Sequence, residues 1–395
     1  MSQHALLSLG TKAWRCLSYP KSELRLDLTL GCGQTFRWRE TGEGHWTGVM
    51  GGRVWTLTQT EDTLWYYVYG PCVGKDLDLI NGRKRKIAEN SRESGKKLKE
   101  VADVKKEEEE TSLFMLTSEQ DGKDEEVLRD YFQLHVKLED LYKEWSDADP
   151  HFSHTGKIFS GVRMLRQDPV ECLFSFICSS NNHISRIQGM IERLCSALGT
   201  PICELDGTHY HDFPSMEALA ESNVEAQLQQ LGFGYRARFL QQSAHLIMSS
   251  HGPKWLHTLR NTPYLQARGA LLTLPGVGPK VADCVCLMSL DKSEAVPVDT
   301  HVWQIARRDY SCATGSRPKT LTDKVYKEIG DFFRKLWGSY AGWAHSVLFC
   351  ADLKKFQKLK EIPTIKEEKK PAKTKKEKEY DRYKKRGTVK KEGED

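Results

Sequence analysis

The chain has 395 residues, a formal net charge of +5, 39% hydrophobic residues and 11 cysteines. That length accommodates two or three domains with a sizeable core, and no apolar run approaches the roughly 20 residues of a membrane span. With no secretory apolar segment and an odd cysteine count, the thiols agree with a reducing compartment rather than a disulfide framework. Charge is unevenly placed: residues 354–395 hold 17 Lys/Arg against 9 Asp/Glu, a net +8, which leaves −3 on residues 1–353. A basic binding face in the body must therefore be local, and the tail is a separate electrostatic element.

Residues 1–22 are expected to be a flexible N-terminus; they carry Lys12, Arg15 and Lys21 and no acid, a pattern that hints at mitochondrial targeting. Residues 23–73 are expected to be an antiparallel β-rich domain. Leu24 to Leu28 alternates, Trp46 to Leu57 and Leu64 to Tyr69 are rich in aromatic and β-branched residues, and Gly42, Gly44, Gly51 and Gly52 mark turns. Residues 74–124 are expected to be a charged disordered insertion: Lys75 to Glu110 has 11 basic and 10 acidic residues and no aromatic, so it cannot bury a core. Over residues 125–353 the helical period takes over, at Val127, Leu128, Tyr131 and Phe132, then Phe174 to Ile177, Ile187 to Leu198 and Phe239 to Met248. Residues 354–395 are expected to be a disordered basic tail. Within it, Lys369 to Lys376 and Lys384-Lys385-Arg386 have the composition of a nuclear localisation signal, the alternative being a plain solvated tail. The fold class predicted is α+β, a small β-rich domain packed on a mostly helical body.

The most informative stretch is Leu274-Pro275-Gly276-Val277-Gly278-Pro279-Lys280, an apolar helical run, then Val296-Pro297-Val298-Asp299-Thr300-His301. Gly276 and Gly278 leave no Cβ in the way of a close approach. The turn opens onto a helix N-terminus, whose free amides and positive dipole end suit a phosphate. A helix-connecting turn with glycines for tightness is the alternative. A ten-residue helix advances about 15 Å, and Asp291 to Val298, if extended, covers about 26 Å at most. The chain can therefore bring Asp299 back beside Lys280. Asp299 also reads as the N-cap of a following helix, and both readings can hold at once. Lys280 alone would suit a phosphate contact; paired with a fixed carboxylate, it suits a nucleophilic amine.

These residues resemble the helix-hairpin-helix DNA glycosylases that use a catalytic lysine. Val170 to Asn182, Leu231 to Arg238, Trp337 to Ala344 and Gly33-Gln34-Thr35-Phe36-Arg37-Trp38 narrow the resemblance to the eukaryotic 8-oxoguanine DNA glycosylases, over roughly residues 13–72 and 125–353. The resemblance implies a bifunctional enzyme of base-excision repair. Its partner is double-stranded DNA containing oxidised guanine, and it works as a monomer with downstream repair proteins and without a membrane; the basic clusters of the tail point to the nucleus, with mitochondria the alternative or added location that residues 1–22 hint at. Lys280 attacks C1′ and forms a Schiff base, and Asp299 stabilises developing positive charge on the sugar. Asn181 fills the gap left by the flipped base and Tyr235 is the wedge. Arg186 and Arg236 hydrogen-bond the orphaned cytosine, phosphate contact being their alternative. His301 contacts a phosphate, or is an ordinary surface residue of the first helical turn.

The Gly33 carbonyl, in a turn with Gly31, accepts the N7 hydrogen that distinguishes the lesion from guanine. Cys284 and Phe349 sandwich the base; without the resemblance both would read as core. Where the family has a glutamine reading the Watson–Crick edge, this chain has His345, which cannot reproduce an amide's bidentate geometry. Weaker lesion discrimination at neutral pH is the expectation. No Cys-x-x-Cys occurs, and only Cys312 and Cys350 follow Asp299, so no iron–sulfur cluster and no zinc are expected. The family does imply a monovalent cation held by hairpin carbonyls around Leu274 and Val277. The competing readings are a non-catalytic DNA-binding scaffold and a glycosylase for another damaged base.

Overall fold

The aromatic and β-branched stretches pair into a five-stranded antiparallel sheet in a computed structural model that describes residues 3–7, 14–70, 122–312 and 320–361. Its strands are β1 (Arg15–Ser18), β2 (Trp38–Gly42), β3 (His45–Met50), β4 (Arg53–Gln59) and β5 (Thr63–Val68), in the order β1-β5-β4-β3-β2. Gly51 and Gly52, both at positive φ, close the β3–β4 hairpin in a conformation that strains other residues. Both faces of this hairpin are covered. Trp46, Trp55 and Leu57 join a core with Leu128, Phe132 and Leu165 of the helical body, while Val49 and Val54 pack with Cys203 and Leu205. Those last two lie in a second hairpin, β6 (Pro201–Leu205) and β7 (Thr208–His211), which the helical period of the body did not announce.

Several boundaries differ from the sequence reading. Residues 1–22 are not a flexible lead throughout: β1 pairs in register with β5 and buries Trp14 and Leu17. Leu24 to Leu28 is not a strand but enters a helical turn, Leu26–Thr29. Leu24, Leu26, Leu28 and Leu30 are all buried there, so their alternation carried no information about a sheet face. The Leu26 amide donates to Gln59 Oε1 at 2.6 Å instead of to a neighbouring strand. Of the 74–124 segment, residues up to 121 lie outside those described, but 122–124 begin a helix over 122–131. Asp124 is 1% exposed and ion-paired with Arg15 at 2.6 Å and with Arg53, which fastens that helix to the sheet. Residues 362–395, with both basic clusters, also lie outside the described residues, as does Lys12. Residues 354–361 belong to a separate unit and form a 3₁₀ turn, Lys354–Phe356, and a helix, Gln357–Glu361.

Gln34 joins the sheet domain to the helical body. It is 1% exposed. Its Nε2 donates to the carbonyls of Thr29 at 2.9 Å and Arg163 at 2.8 Å, and its Oε1 accepts the Leu165 amide at 2.9 Å. Its own carbonyl accepts Gln167 Nε2 at 2.8 Å. Alongside, the fully buried Arg163 guanidinium pairs with the Glu23 carboxylate at 2.7 Å and donates to the carbonyls of Glu23, Gln133 and Val136. Each buried polar group left unpaired costs about 1–3 kcal/mol. Gln34→Leu strands the Leu165 amide and the Arg163 carbonyl together, and is expected to lower stability by about 2–5 kcal/mol in urea unfolding. A loss below about 0.5 kcal/mol, within the range of an ordinary surface substitution, would show the join to be held elsewhere.

Candidate active site

Helices Tyr264–Leu271 and Pro279–Ser289 form the hairpin that the glycine turn connects. Gly276 has φ +77°, and a Cβ there would lie 2.6 Å from the Phe239 ring, so only glycine fits. Gly278 caps the second helix, with open space where its Cβ would be. The two glycines thus do different jobs: one allows close packing inward, the other close approach from outside. Val277 donates its amide to the Leu274 carbonyl at 3.2 Å, and the Ser243 hydroxyl donates to the Pro275 carbonyl at 2.8 Å. Proline at the first helical position costs no hydrogen bond, and Lys280 follows it in the first turn.

Lys280 and Asp299 line one cavity of about 470 Å³, counting its open mouth, together with Gly33, Cys284, His345 and Phe349. The Lys280 amine donates to Ser179 Oγ at 2.9 Å and sits 4.9 Å from the centre of the Phe176 ring. Asp299 is the N-cap of helix Thr300–Tyr310, accepting the Val302 amide at 2.9 Å. Its capping bond and its place in the cavity coexist.

What fixes the two relative to each other is Asp283, one turn beyond Lys280 on the same helix. It is 1% exposed and accepts Tyr264 Oη at 2.7 Å, Arg268 Nε at 2.9 Å and Tyr326 Oη at 2.5 Å. Tyr326, from helix Asp323–Trp337, accepts the amide of Val298 at 3.3 Å, immediately before Asp299. Burial pushes the Asp283 carboxyl above the usual carboxylate range; Arg268 foremost, then the two phenols, pull it back. Sequence reasoning missed Asp283 and Tyr326. The available signal was a single carboxylate inside the apolar run Val281 to Leu290, which demands donors once buried.

The other walls are equally specific. Gly33 has φ +85°, and a Cβ would lie 2.7 Å from Ile184 Cδ1. Gly31 is not among the positive-φ glycines, so the left-handed backbone of this turn lies at Gly33. Cys284 is 2% exposed; burial pushes its thiol up to about 11, with Lys280 acting against that. Phe349 is half-buried and stands edge-on to His301. His345 is 5% exposed, with Nδ1 3.2 Å from the Gly342 carbonyl, so that nitrogen carries the proton and donates. Burial holds its pKa below the usual 6.5, against the Gly342 carbonyl and Asp299. Its Nε2 is buried without a hydrogen-bond partner. The cavity wall therefore contains a neutral imidazole with an unspent acceptor.

Asn181, two residues beyond the Ser179 that accepts from Lys280, is exposed with φ +47°, a conformation uncommon outside glycine. Tyr235 is 54% exposed and donates to the Ser180 carbonyl at 3.3 Å. Arg236 is only 4% exposed: its guanidinium donates to the Ser180 carbonyl and, at 3.4 Å, to that of Asn181, and lies 4.6 Å from the Tyr235 ring centre. Asn181, Tyr235 and Arg236 are thus brought together, with Arg236 turned inward beneath the turn. Arg186 is exposed on the first turn of helix Ile184–Leu198. His301 is exposed with Nδ1 3.4 Å from Asp352 Oδ2.

The 8-oxoguanine DNA glycosylase N-terminal domain matches residues 16–173, and the HhH-GPD superfamily of base excision DNA repair proteins matches residues 174–331. The chain is 35% identical over 348 residues to the N-glycosylase/DNA lyase of Arabidopsis thaliana, covering 87% of this chain and 81% of that one. It is 42% identical over 251 residues to the N-glycosylase/DNA lyase of Saccharomyces cerevisiae, covering 57% and 66%. The fold is similar to that of Clostridium acetobutylicum 8-oxoguanine glycosylase/lyase in complex with double-stranded DNA containing cytosine opposite 8-oxoguanine. That likeness has a TM-score of 0.62 at 26% identity and covers 83% of this chain and 91% of that one. With a glycine hairpin, a lysine and a capped aspartate in one cavity, and these matches end to end, the chain belongs to the 8-oxoguanine DNA glycosylases of the helix-hairpin-helix base-excision repair superfamily.

Proposed function

We propose that this chain excises 8-oxoguanine opposite cytosine from duplex DNA with Lys280 as nucleophile, and then cleaves the strand by β-elimination. The observation that carries this is the single cavity in which Lys280 and Asp299 meet Gly33, Cys284, His345 and Phe349. C1′ of a stacked nucleotide is out of reach, so the base must flip, at a cost of a few kcal/mol. Exposed Asn181 and Tyr235 fill and wedge the vacated duplex and exposed Arg186 faces the orphaned cytosine, while Arg236, turned inward, holds the turn that carries Asn181. Gly276, Gly278 and His301 hold the backbone near the hairpin. The Lys280 amine bonds to C1′ as the C1′–N9 bond breaks and the base leaves with the electron pair. Asp299 stabilises positive charge on the sugar. Loss of the amine proton and opening of the ring give the Schiff base; removal of a 2′ proton then expels the 3′ phosphate.

A monovalent cation fits the hairpin turn in chemistry, since Leu274 to Gly278 offers backbone carbonyls and no side-chain ligand. Such an ion adds positive charge where the backbone phosphate docks. The basic clusters of the tail suit nuclear import. A scaffold that only holds DNA has no use for an amine and a carboxylate inside one cavity.

Incubation with a duplex bearing one 8-oxoguanine opposite cytosine, in the presence of borohydride, is expected to trap a covalent complex. Lys280→Gln is expected to abolish it; trapping that survives this substitution would overturn the assignment of the nucleophile. His345 supplies a second test. As a neutral imidazole, its Nε2 accepts the N1 hydrogen of the lesion. Acid protonates that nitrogen and turns the acceptor into a donor, so lesion excision is expected to fall as pH drops below the histidine's depressed pKa. His345→Gln is expected to remove this acid limb and, by restoring a two-point contact to an edge that guanine shares, raise the efficiency of lesion excision about tenfold. An unchanged pH profile and unchanged efficiency would exclude His345 from the contact.

A further inference from the structure

Ser179 stands half-buried just beyond helix Pro169–Ile177, and the chemistry above gives it no part. Its amide and its hydroxyl both donate to the Phe176 carbonyl, at 3.0 and 2.7 Å. The hydroxyl proton is therefore spent, and the oxygen meets the Lys280 amine as an acceptor only, at 2.9 Å. The Phe176 ring lies 4.9 Å from the same amine. Asp299 lines the cavity with Lys280 but forms no ion pair with it. The amine is thus aimed by Ser179 and the Phe176 ring rather than by the carboxylate.

The turn that carries Ser179 is pinned through its carbonyls. Asn182 Nδ2 donates to that of Cys178 at 3.0 Å. Tyr235 Oη, at 3.3 Å, and the Arg236 guanidinium donate to that of Ser180, and the guanidinium donates again to that of Asn181 at 3.4 Å. Asn181 holds left-handed backbone, at φ +47°, and is exposed. Residues 178–182 are therefore braced as one piece. Within it Ser179 meets the amine, and Asn181, two residues on, meets solvent.

We propose that Ser179 is a positioning residue for the nucleophile, and that the turn it shares with Asn181 ties the aim of the Lys280 amine to the seating of Asn181 in the duplex. The tie to the duplex rests on the functional reading above; the bond from Lys280 to Ser179 does not. A misplacement of about 1 Å can cost a reacting group about a hundredfold in rate. A braced turn that shifts when Asn181 enters the duplex therefore changes the rate of attack without touching the sugar. Attack then waits for a filled gap, since C1′ is within reach only once the nucleotide has left the stack.

The test measures single-turnover borohydride trapping by the full chain on a duplex with an abasic site opposite cytosine, which needs the amine but no bound base. Affinity is measured on the same duplex carrying a tetrahydrofuran analogue of that site. Ser179→Ala is expected to slow trapping about tenfold or more, with affinity changed less than about threefold. Ser179→Thr, which keeps the hydroxyl, is expected to return the rate to within about threefold of wild type. Trapping by Ser179→Ala at the wild-type rate, or a loss that Thr does not restore and that affinity shares, would overturn the placement. Asn181→Gly keeps the left-handed backbone and removes the amide. It is expected to slow trapping about fivefold in the wild-type background and less than about twofold beside Ser179→Ala; equal losses in both would overturn the tie between the two residues. Trapping that depends on Ser179 in a chain that excises no 8-oxoguanine would support the placement of the amine and overturn the functional reading alone.

Discussion

The carboxylate of Asp283 accepts hydrogen bonds from Tyr264, Arg268 and Tyr326, and the helices that supply them are the ones that build the site. Tyr264 and Arg268 come from the first helix of the hairpin, Asp283 from the second, and Tyr326 from a helix some forty residues on. Breaking a buried ion pair by removing one partner costs about 3–5 kcal/mol, because the remaining charge has nowhere to go. The hairpin therefore cannot loosen without uncovering that charge. Through the Tyr326 hydroxyl the same carboxylate reaches the backbone of Val298, next to Asp299. The spacing of Lys280 and Asp299 is thus set from behind, by a buried group that does not line the cavity.

A second buried network does for the Gly33 wall of the cavity what Asp283 does for Lys280 and Asp299. Gln34 and Arg163 fix the turn carrying Gly33 against the body, so the cavity opens at the seam between the sheet domain and the helices. Rigidity matters here because the discrimination available is small. One hydrogen bond gained or lost is worth about 1–3 kcal/mol, comparable to the cost of flipping a base. A wall that drifted would forfeit most of it. By contrast, Asn181, Tyr235 and Arg186 are exposed.

The chemistry was more legible in the sequence than the architecture. Lys280, Asp299 and the glycine turn stand within thirty residues, and chain geometry alone brings them back together. The helical period marked Phe174 to Ile177, Ile187 to Leu198 and Phe239 to Met248, all of which lie in helices. What escaped depends on distant partners. The donors to Asp283 include one more than forty residues away, the inward turn of Arg236 depends on carbonyls at Ser180 and Asn181, and β1 is a strand because β5 is there to pair with it. Leu24 to Leu28 misled because burial on every side imitates alternation. The neutral state of His345 follows from its burial and from Gly342, neither visible in the residue type.

The most direct test of the account is the single-turnover rate of 8-oxoguanine excision by Tyr326→Phe, measured beside its affinity for the lesion duplex. Losing the hydroxyl frees Val298 and strips one donor from Asp283, so the rate is expected to fall about tenfold or more, with affinity changed less than about threefold. A folded variant that excises at the wild-type rate would contradict the claim that Asp283, through Tyr326, sets the place of Asp299.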